Sequence, residues 1–303
     1  MEMATEQRKI MTNEHRLRDF LQSSLFIFAK RFVAGQTLKE ALEVVKNLNA
    51  KGFFTTLDFL GESVASVEEA TIATEQNILL LRALRERQLD LNISVKPTQL
   101  GLLIDRKLFE HNLKKIAQTA KDLGAFVRVD IEGSSTTDAT FEIILQLKSE
   151  GFPVGAAVQA MLKRSPHDVV RFIEDGIRLR LCKGAYKEPP VLALRKKNDI
   201  RRQYLALAKR LLTSRLYHGF ATHDEALIEA IKAFVVNNDI SRNAFEFQML
   251  YGMRSDLQEK LKREGWRVRI YVPFGYAWLP YFYRRLRERK ENVWFVLKNL
   301  FRS

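Results

Sequence analysis

The densest group of chemically able side chains in the sequence is Tyr281-Phe282-Tyr283-Arg284-Arg285-Leu286-Arg287-Glu288. Written as a helix, it stacks Tyr281, Arg284 or Arg285, and Glu288 on one face, because helical neighbours recur three, four and seven residues apart. Two adjacent guanidinium groups can grip a carboxylate or phosphate through paired hydrogen bonds. The same spacing describes a solvated basic face in which Arg284 and Glu288 form an i,i+4 ion pair worth about 0.3 kcal/mol. Spacing alone favours that plainer reading.

Other motifs are weaker alone. Lys183-Gly184-Ala185 is a triplet whose small residues let backbone approach a ligand, though most such triplets are plain turns. In Thr222-His223-Asp224, Asp224 reads equally as a helix N-cap, and a lone His223 is more often structural than catalytic. No G-x-G-x-x-G and no G-x-x-x-x-G-K-[ST] occurs, so neither the standard dinucleotide fold nor a P-loop is indicated. The 5 histidines form no i,i+2 or i,i+4 pair, and no metal site is expected. No local context activates a Ser or Cys nucleophile, and Cys182 reads as a small buried strand residue.

These residues must be positioned by something, and the chain supplies an alternation of short β-branched runs and longer helical patterns. Strands are predicted at Phe53–Phe59, Leu91–Val95, Phe126–Ile131, Val154–Gln159, Ile177–Cys182, Gly219–Thr222, Ala244–Gln248 and Val268–Val272. Helices are predicted at Val67–Arg87, Arg106–Leu123, Thr137–Glu150, His167–Asp175, within Val191–Tyr217, and at Glu225–Asn237, Asp256–Glu264 and Trp278–Leu300. Two further helices, Arg16–Phe32 and Leu38–Asn47, precede the first strand. Eight strand–helix units predict an α/β fold, a (βα)8 TIM-type barrel, with residues 1–49 a helical extension and 50–303 the barrel. Each strand exits into a polar group: Glu62, Lys96, Asp130, Gln159, Arg180 with Lys183, His223, Gln248 and Tyr271. Barrel active sites sit at that end of the strands, so a shared site is expected there.

Composition agrees with this and narrows the function classes. The 303 residues carry 50 Lys+Arg against 36 Asp+Glu, a net charge of +14 that favours anionic partners without choosing among them. With 1 Cys, an intramolecular disulfide framework and a cysteine-cluster zinc site are excluded. The polar Met1–Arg18 shows no signal-peptide pattern, and no apolar run approaches the ~20 residues of a membrane span. The basic and aromatic mix over Arg263–Arg289 raises nucleic-acid binding only weakly, since its aromatics follow helix and strand periods.

Several segments together resemble the proline dehydrogenase family in its short monofunctional bacterial form. They are Ser94-Val95-Lys96-Pro97-Thr98-Gln99-Leu100-Gly101, Arg128-Val129-Asp130-Ile131-Glu132-Gly133-Ser134, Val158-Gln159-Ala160, and Arg180-Leu181-Cys182-Lys183-Gly184-Ala185-Tyr186-Lys187-Glu188. Ala221-Thr222-His223-Asp224, Glu246-Phe247-Gln248-Met249-Leu250-Tyr251-Gly252-Met253 and Arg269-Ile270-Tyr271-Val272-Pro273-Phe274-Gly275 follow, the last running into the Tyr281–Asn292 helix. Each is modestly specific; their order across Leu57–Asn299 is very specific.

The resemblance implies a distorted (βα)8 barrel with its final helix over the C-terminal face, holding a non-covalent flavin, FAD with FMN the alternative. It implies oxidation of L-proline to Δ1-pyrroline-5-carboxylate by hydride transfer to flavin N5, the first step of proline catabolism to glutamate. Electrons would pass to a quinone. By the same resemblance Lys96, Arg284 and Arg285 neutralise the substrate carboxylate, and Tyr271, Tyr281, Ala185 and Leu250 line its pocket, with Asp130 ordering the polar network. Gln159, Arg180 and the Cys182 backbone would face the isoalloxazine; Lys183, Gly184, Thr222, His223, Gln248 and Glu288 would meet the rest of the cofactor. Glu62 resembles the family's gate carboxylate, paired with the first Arg of the final helix.

A tyrosine at Tyr271 goes with proline in the family, so hydroxyproline is the rival substrate and a basic nucleic-acid-binding barrel the rival class. The expected setting is cytoplasmic, with peripheral contact to the membrane that holds the quinone, and a downstream pyrroline-5-carboxylate dehydrogenase as partner. Leu25–Phe28 with Lys30 and Arg31, and Val293–Leu297 with Lys298 and Arg302, are candidate contact surfaces, although packing on the barrel explains both apolar faces equally.

Overall fold

The computed structural model describes residues 25–288, the side chains of residues 287 and 288 excepted. Eight parallel strands close in sequence order into a barrel. They are β1 (Phe54–Phe59), β2 (Asn92–Val95), β3 (Phe126–Val129), β4 (Val154–Gln159), β5 (Leu179–Cys182), β6 (His218–Ala221), β7 (Phe245–Leu250) and β8 (Val268–Phe274). Helix α1 (Leu38–Ala50) precedes β1, and α2 (Val67–Glu86), α3 (Arg106–Leu123), α4 (Ser134–Ser149), α5 (Ser165–Glu174), α6 (Lys197–Thr213), α7 (Glu225–Asn237) and α8 (Ser255–Arg263) join successive strands. Helix α9 (Trp278–Glu288) follows β8.

Local chemistry explains many of the boundaries. Thr37 and Glu40 form a reciprocal capping box that starts α1. Asp105 caps α3 through the Leu108 amide, and Gly124, left-handed at φ 68°, ends it. The long predicted helix within Val191–Tyr217 begins only at Lys197, because the preceding chain is held to β4's exit by a bridge between Leu162 and Ala193. Strands β7 and β8 run two residues beyond their predicted ends, since pairing continues from Leu250 to Tyr271 and from Phe274 to Phe59.

The main core lies between the strands' outward faces and the helices, with Leu57, Ile93, Val127, Leu181, Phe220, Phe247 and Ile270 buried against them. The inward faces are polar. Gly155 and Gly219 make room for this: a Cβ at Gly155 would lie 2.7 Å from Arg128 Nη1, and one at Gly219 2.3 Å from Gln248 Nε2. A second apolar cluster, Phe26, Phe32, Leu60, Met253, Trp278 and Phe282 among its members, fastens α9 across the C-terminal face.

Of the predicted helix Arg16–Phe32, residues 25–29 are helical and the part before them lies outside the described residues, as does the chain predicted helical beyond Glu288. Leu25, Phe26 and Phe28 pack in the second cluster, while Ile27 is 70% exposed. The candidate surface Val293–Leu297 also lies outside the described residues. Among the described residues no helix is long and apolar enough to cross a membrane.

Candidate active site

Strand alternation sends Asp58, Lys96, Asp130, Arg180, Gln248 and Tyr271 toward one space at the barrel's C-terminal mouth. Arg180 is its hub: Nη1 donates to Asp130 at 2.5 Å, Nε to Gln248 at 2.6 Å and Nη2 to Ser94 at 2.9 Å. Tyr271 donates to the other Asp130 oxygen at 2.8 Å, with the Arg180 guanidinium 5.1 Å from its ring centroid. Burial, reinforced by Asp130, pushes the Tyr271 hydroxyl well above its ordinary value, so it stays a donor.

A second tier supports the hub. Gln248 Nε2 donates to Glu246 at 2.6 Å, and Glu246 also accepts from Arg269 at 2.7 Å and Tyr217 at 2.8 Å. Burial raises the Glu246 carboxyl, but Arg269 outweighs it and holds the group below its usual range. The mouth is thus tied to the barrel floor by charge-assisted bonds, which fixes Arg180's orientation.

Lys96, expected to help neutralise a substrate carboxylate, already has an anion of the barrel beside it. It is buried and bonded at 2.6 Å to both oxygens of Asp58 on β1. Burial alone would strip its proton, but Asp58 and Asp130 outweigh that and keep the ammonium above its ordinary value. The reason is electrostatic: a buried cation takes the nearest anion, and β1 pairs beside β2.

Above the mouth, Arg284 on α9 donates to Glu62 at 2.5 Å, with both side chains part-exposed at 38% and 29%. Arg285 and Tyr281 are buried next to each other, the guanidinium 5.1 Å from the ring centroid. Leu250 packs at the edge of the same cluster. Glu288 ends α9, and its side chain lies outside those described, as does the predicted Arg284–Glu288 pairing.

On the opposite side, Gln159 donates to the Glu132 carbonyl at 2.9 Å and accepts from the Ala185 amide at 3.3 Å. Gly184 is left-handed at φ 117°, and a Cβ there would lie 2.4 Å from Met161 Sδ, so any other residue would be strained and would have to displace that side chain. The Cys182 thiol donates to the Val158 carbonyl at 3.3 Å, and burial pushes it up to about 12, which leaves it inert. His223 accepts from the Leu250 amide through Nε2 at 3.0 Å.

Asp224 is the N-cap residue of α7, as its sequence allows, but its side chain takes Lys183 at 2.5 Å and Arg201 at 2.7 Å rather than a first-turn amide. Two charge-assisted bonds outweigh one bond to a neutral amide. Lys183 is thereby tied to the start of α7, while Thr222 accepts from the Asp224 amide at 3.0 Å.

Sequence reasoning gave no role to Asp58, Ser94, Glu132 or Glu246. A usable signal existed for Asp58 and Glu246: each is a charge within an otherwise apolar or Thr-rich strand, and a buried charge demands a partner. Glu132, buried after β3, takes the Thr98 amide and hydroxyl, both at 2.8 Å. Among the described residues no cluster of His, Cys, Asp and Glu could hold a metal ion.

Residues 41–298 match the family model for proline dehydrogenase. The chain is 39% identical to proline dehydrogenase 1 of Bacillus subtilis subsp. natto over 275 residues, 91% of each chain. It is 35% identical to the proline dehydrogenase of Deinococcus radiodurans over 287 residues, 93% of each. Among solved structures, proline utilization A from Bdellovibrio bacteriovorus, inactivated by N-propargylglycine, superposes with a TM-score of 0.83 at 26% identity. That match covers 89% of this chain and 33% of the other, so the chain spans about a third of that longer protein.

Proposed function

The chain belongs to the proline dehydrogenase family and oxidises proline, and from that premise we propose how its barrel mouth does so. The observation that carries the reading is the convergence of Arg180, Asp130 and Tyr271 under the Arg284–Glu62 pair. No nucleophile or metal is needed for such a reaction, in which positioning and charge dominate.

The family implies a flavin, and the donor set fits one. Gln159 and Arg180 offer amide and guanidinium donors at the exits of β4 and β5. Gly184 takes a left-handed turn just after β5, with no side chain of its own in the way. We assign Gln159, Arg180 and the Cys182 backbone to the ring system, and Lys183, Gly184, Thr222, His223, Gln248 and Glu288 to the remainder. Lys183 and Arg201 converge on Asp224 beyond β5 and β6, two cations on one carboxylate, and their surplus positive charge suits the diphosphate of FAD. When bound, the flavin supplies the acceptor for the hydride that leaves the substrate carbon.

The chain's own residues supply the rest. Arg284 and Arg285 bind the substrate carboxylate, Arg284 by exchanging its bond to Glu62 for one to the substrate. Glu62 then acts as the gate of the mouth. Lys96, held by Asp58, adds its positive charge to the same carboxylate site. Tyr271, Tyr281, Ala185 and Leu250 wall the ring, and the fixed Arg180 guanidinium favours negative charge developing beside it. Asp130 fixes both Arg180 and Tyr271.

The product is Δ1-pyrroline-5-carboxylate, the electrons go on to a quinone, and a pyrroline-5-carboxylate dehydrogenase consumes the product. A cytoplasmic protein with peripheral membrane contact fits a membrane-dissolved acceptor, and exposed Ile27 beside Lys30 and Arg31 supports that contact. Division at 49/50 into an extension and a barrel completes the reading, although α1 shares the barrel's core through Ala41, Leu42 and Val45.

The test is the visible spectrum of the purified protein before and after L-proline without oxygen. A flavin spectrum that bleaches with proline, and far less with hydroxyproline, is expected. A flavin that stays oxidised overturns the substrate assignment, and a colourless protein that takes up no FAD overturns the cofactor.

A further inference from the structure

Helix α4 begins without a cap of its own. Its N-cap residue is Gly133, which has no side chain to offer the first amides. The missing acceptor comes from 54 residues away: Glu188 takes the Ser134 amide at 2.8 Å and the Ser134 hydroxyl at 2.5 Å. A carboxylate at a helix N-terminus is also favoured by the helix dipole. So far this is a structural cap.

Its location makes it more than that. Glu188 ends the segment 183–188, whose start is fixed by two bonds, Met161 amide to Lys183 carbonyl at 2.8 Å and Ala185 amide to Gln159 at 3.3 Å. Only Tyr186 and Lys187 lie between the last of these anchors and Glu188. Tyr186 is 36% exposed, at the rim of the mouth, with Glu132, Glu62, Asp130 and Arg284 the charges that act on its phenol. A span of two residues pinned at both ends has little freedom, so the height of Tyr186 over the mouth is set by where Glu188 is held.

Resting on the function proposed above, we infer that Glu188 is a positioning residue for substrate binding, which holds Tyr186 over the barrel mouth by gripping Ser134. Ser134 follows Asp130 and Glu132 on the same strand exit, so the grip ties the β3 and β5 sides of the site into one wall. Losing it frees the loop without removing any group that touches the reacting atoms. Substrate affinity should then fall while the chemical step survives.

The experiment is steady-state proline oxidation by flavin-loaded wild type, Glu188→Ala, Glu188→Gln, Tyr186→Ala and the Glu188→Ala/Tyr186→Ala double variant. Glu188→Ala should raise KM about tenfold and leave kcat within about twofold. Glu188→Gln, which keeps an oxygen for the Ser134 amide, should recover most of the affinity. In the Tyr186→Ala background, Glu188→Ala should add less than about twofold, because coupled residues are not additive. Should Glu188→Ala not fold, Ser134→Ala removes one of the two bonds and should raise KM about threefold. A KM unchanged in these variants, or a tenfold cost that persists without the Tyr186 ring, makes Glu188 a helix cap only. A wild type that leaves proline untouched fails differently, by overturning the function itself.

Discussion

Asp58 and Lys96 form a two-oxygen ion pair, 2.6 Å from each carboxylate oxygen to the ammonium, with side chains 1% and 9% exposed. It joins β1 to β2 just below the mouth. Replacing Asp58 by Asn leaves a buried cation with its closest anion gone, and we expect a loss of about 3–5 kcal/mol in denaturant unfolding. Adding Lys96→Met should recover at least half, since the penalty is the stranded charge and not the missing bond. A single variant within about 1 kcal/mol of wild type would remove the pair from any structural role.

Tyr271 bears on the choice of ring. Its phenol is fixed from both sides, by its bond to Asp130 and by the guanidinium over its face, and so cannot swing away from an added hydroxyl. Tyr271→Ser should shift the kcat/KM ratio toward hydroxyproline by at least about tenfold. An unchanged ratio sinks the steric argument.

For Arg284, the expected loss is in binding. Because the side chain is 38% exposed, Arg284→Met should cost about 2 kcal/mol, roughly thirtyfold in KM, the lower end for truncating one half of a charge pair. A rise in KM below about threefold means the carboxylate is held elsewhere.

A separate prediction concerns acid stability. His218 is buried on β6, accepts the Leu179 amide through Nδ1 at 2.9 Å and contacts Ser214 through Nε2 at 2.9 Å. Burial, with Arg128 and Arg178 nearby, pushes it from 6.5 down to about 3. The unfolded chain therefore binds the proton first. This contribution to stability is fully present above pH 6.5 and lost as pH falls toward 3, amounting to about 2 kcal/mol between pH 7 and 5. Urea unfolding at both pH values should show that loss in wild type and a clearly smaller one in His218→Gln. Equal losses would mean that His218 titrates normally.

The strands and helices were largely legible because each carries its own local pattern. The run Val154–Gln159 declares a buried strand by composition, and Asp105 and Gly124 bracket a helix without help from elsewhere. The polar residues at the strand exits were legible for the same reason, and Asp130, Arg180, Gln248 and Tyr271 among them bond into one network. What was not legible was their partners. Asp224 was legible as the N-cap of α7 but not as the anchor of two cations. Nothing local to Lys96 announced its pairing with Asp58.

The sequence by itself determined the eight-unit alternation, the order of polar strand exits and the family to which they belong. Only the tertiary structure decided who neutralises whom. Barrel closure sets β1 beside both β2 and β8, so Asp58 meets Lys96 and Glu62 meets Arg284, residues 222 positions apart. It also aims Arg180 and Gln248 into one interior that Gly155 and Gly219 leave open. Periodicity specifies which face of a strand a side chain takes, but a charge's counterion depends on distances set by closure and register, and those are properties of the whole sheet.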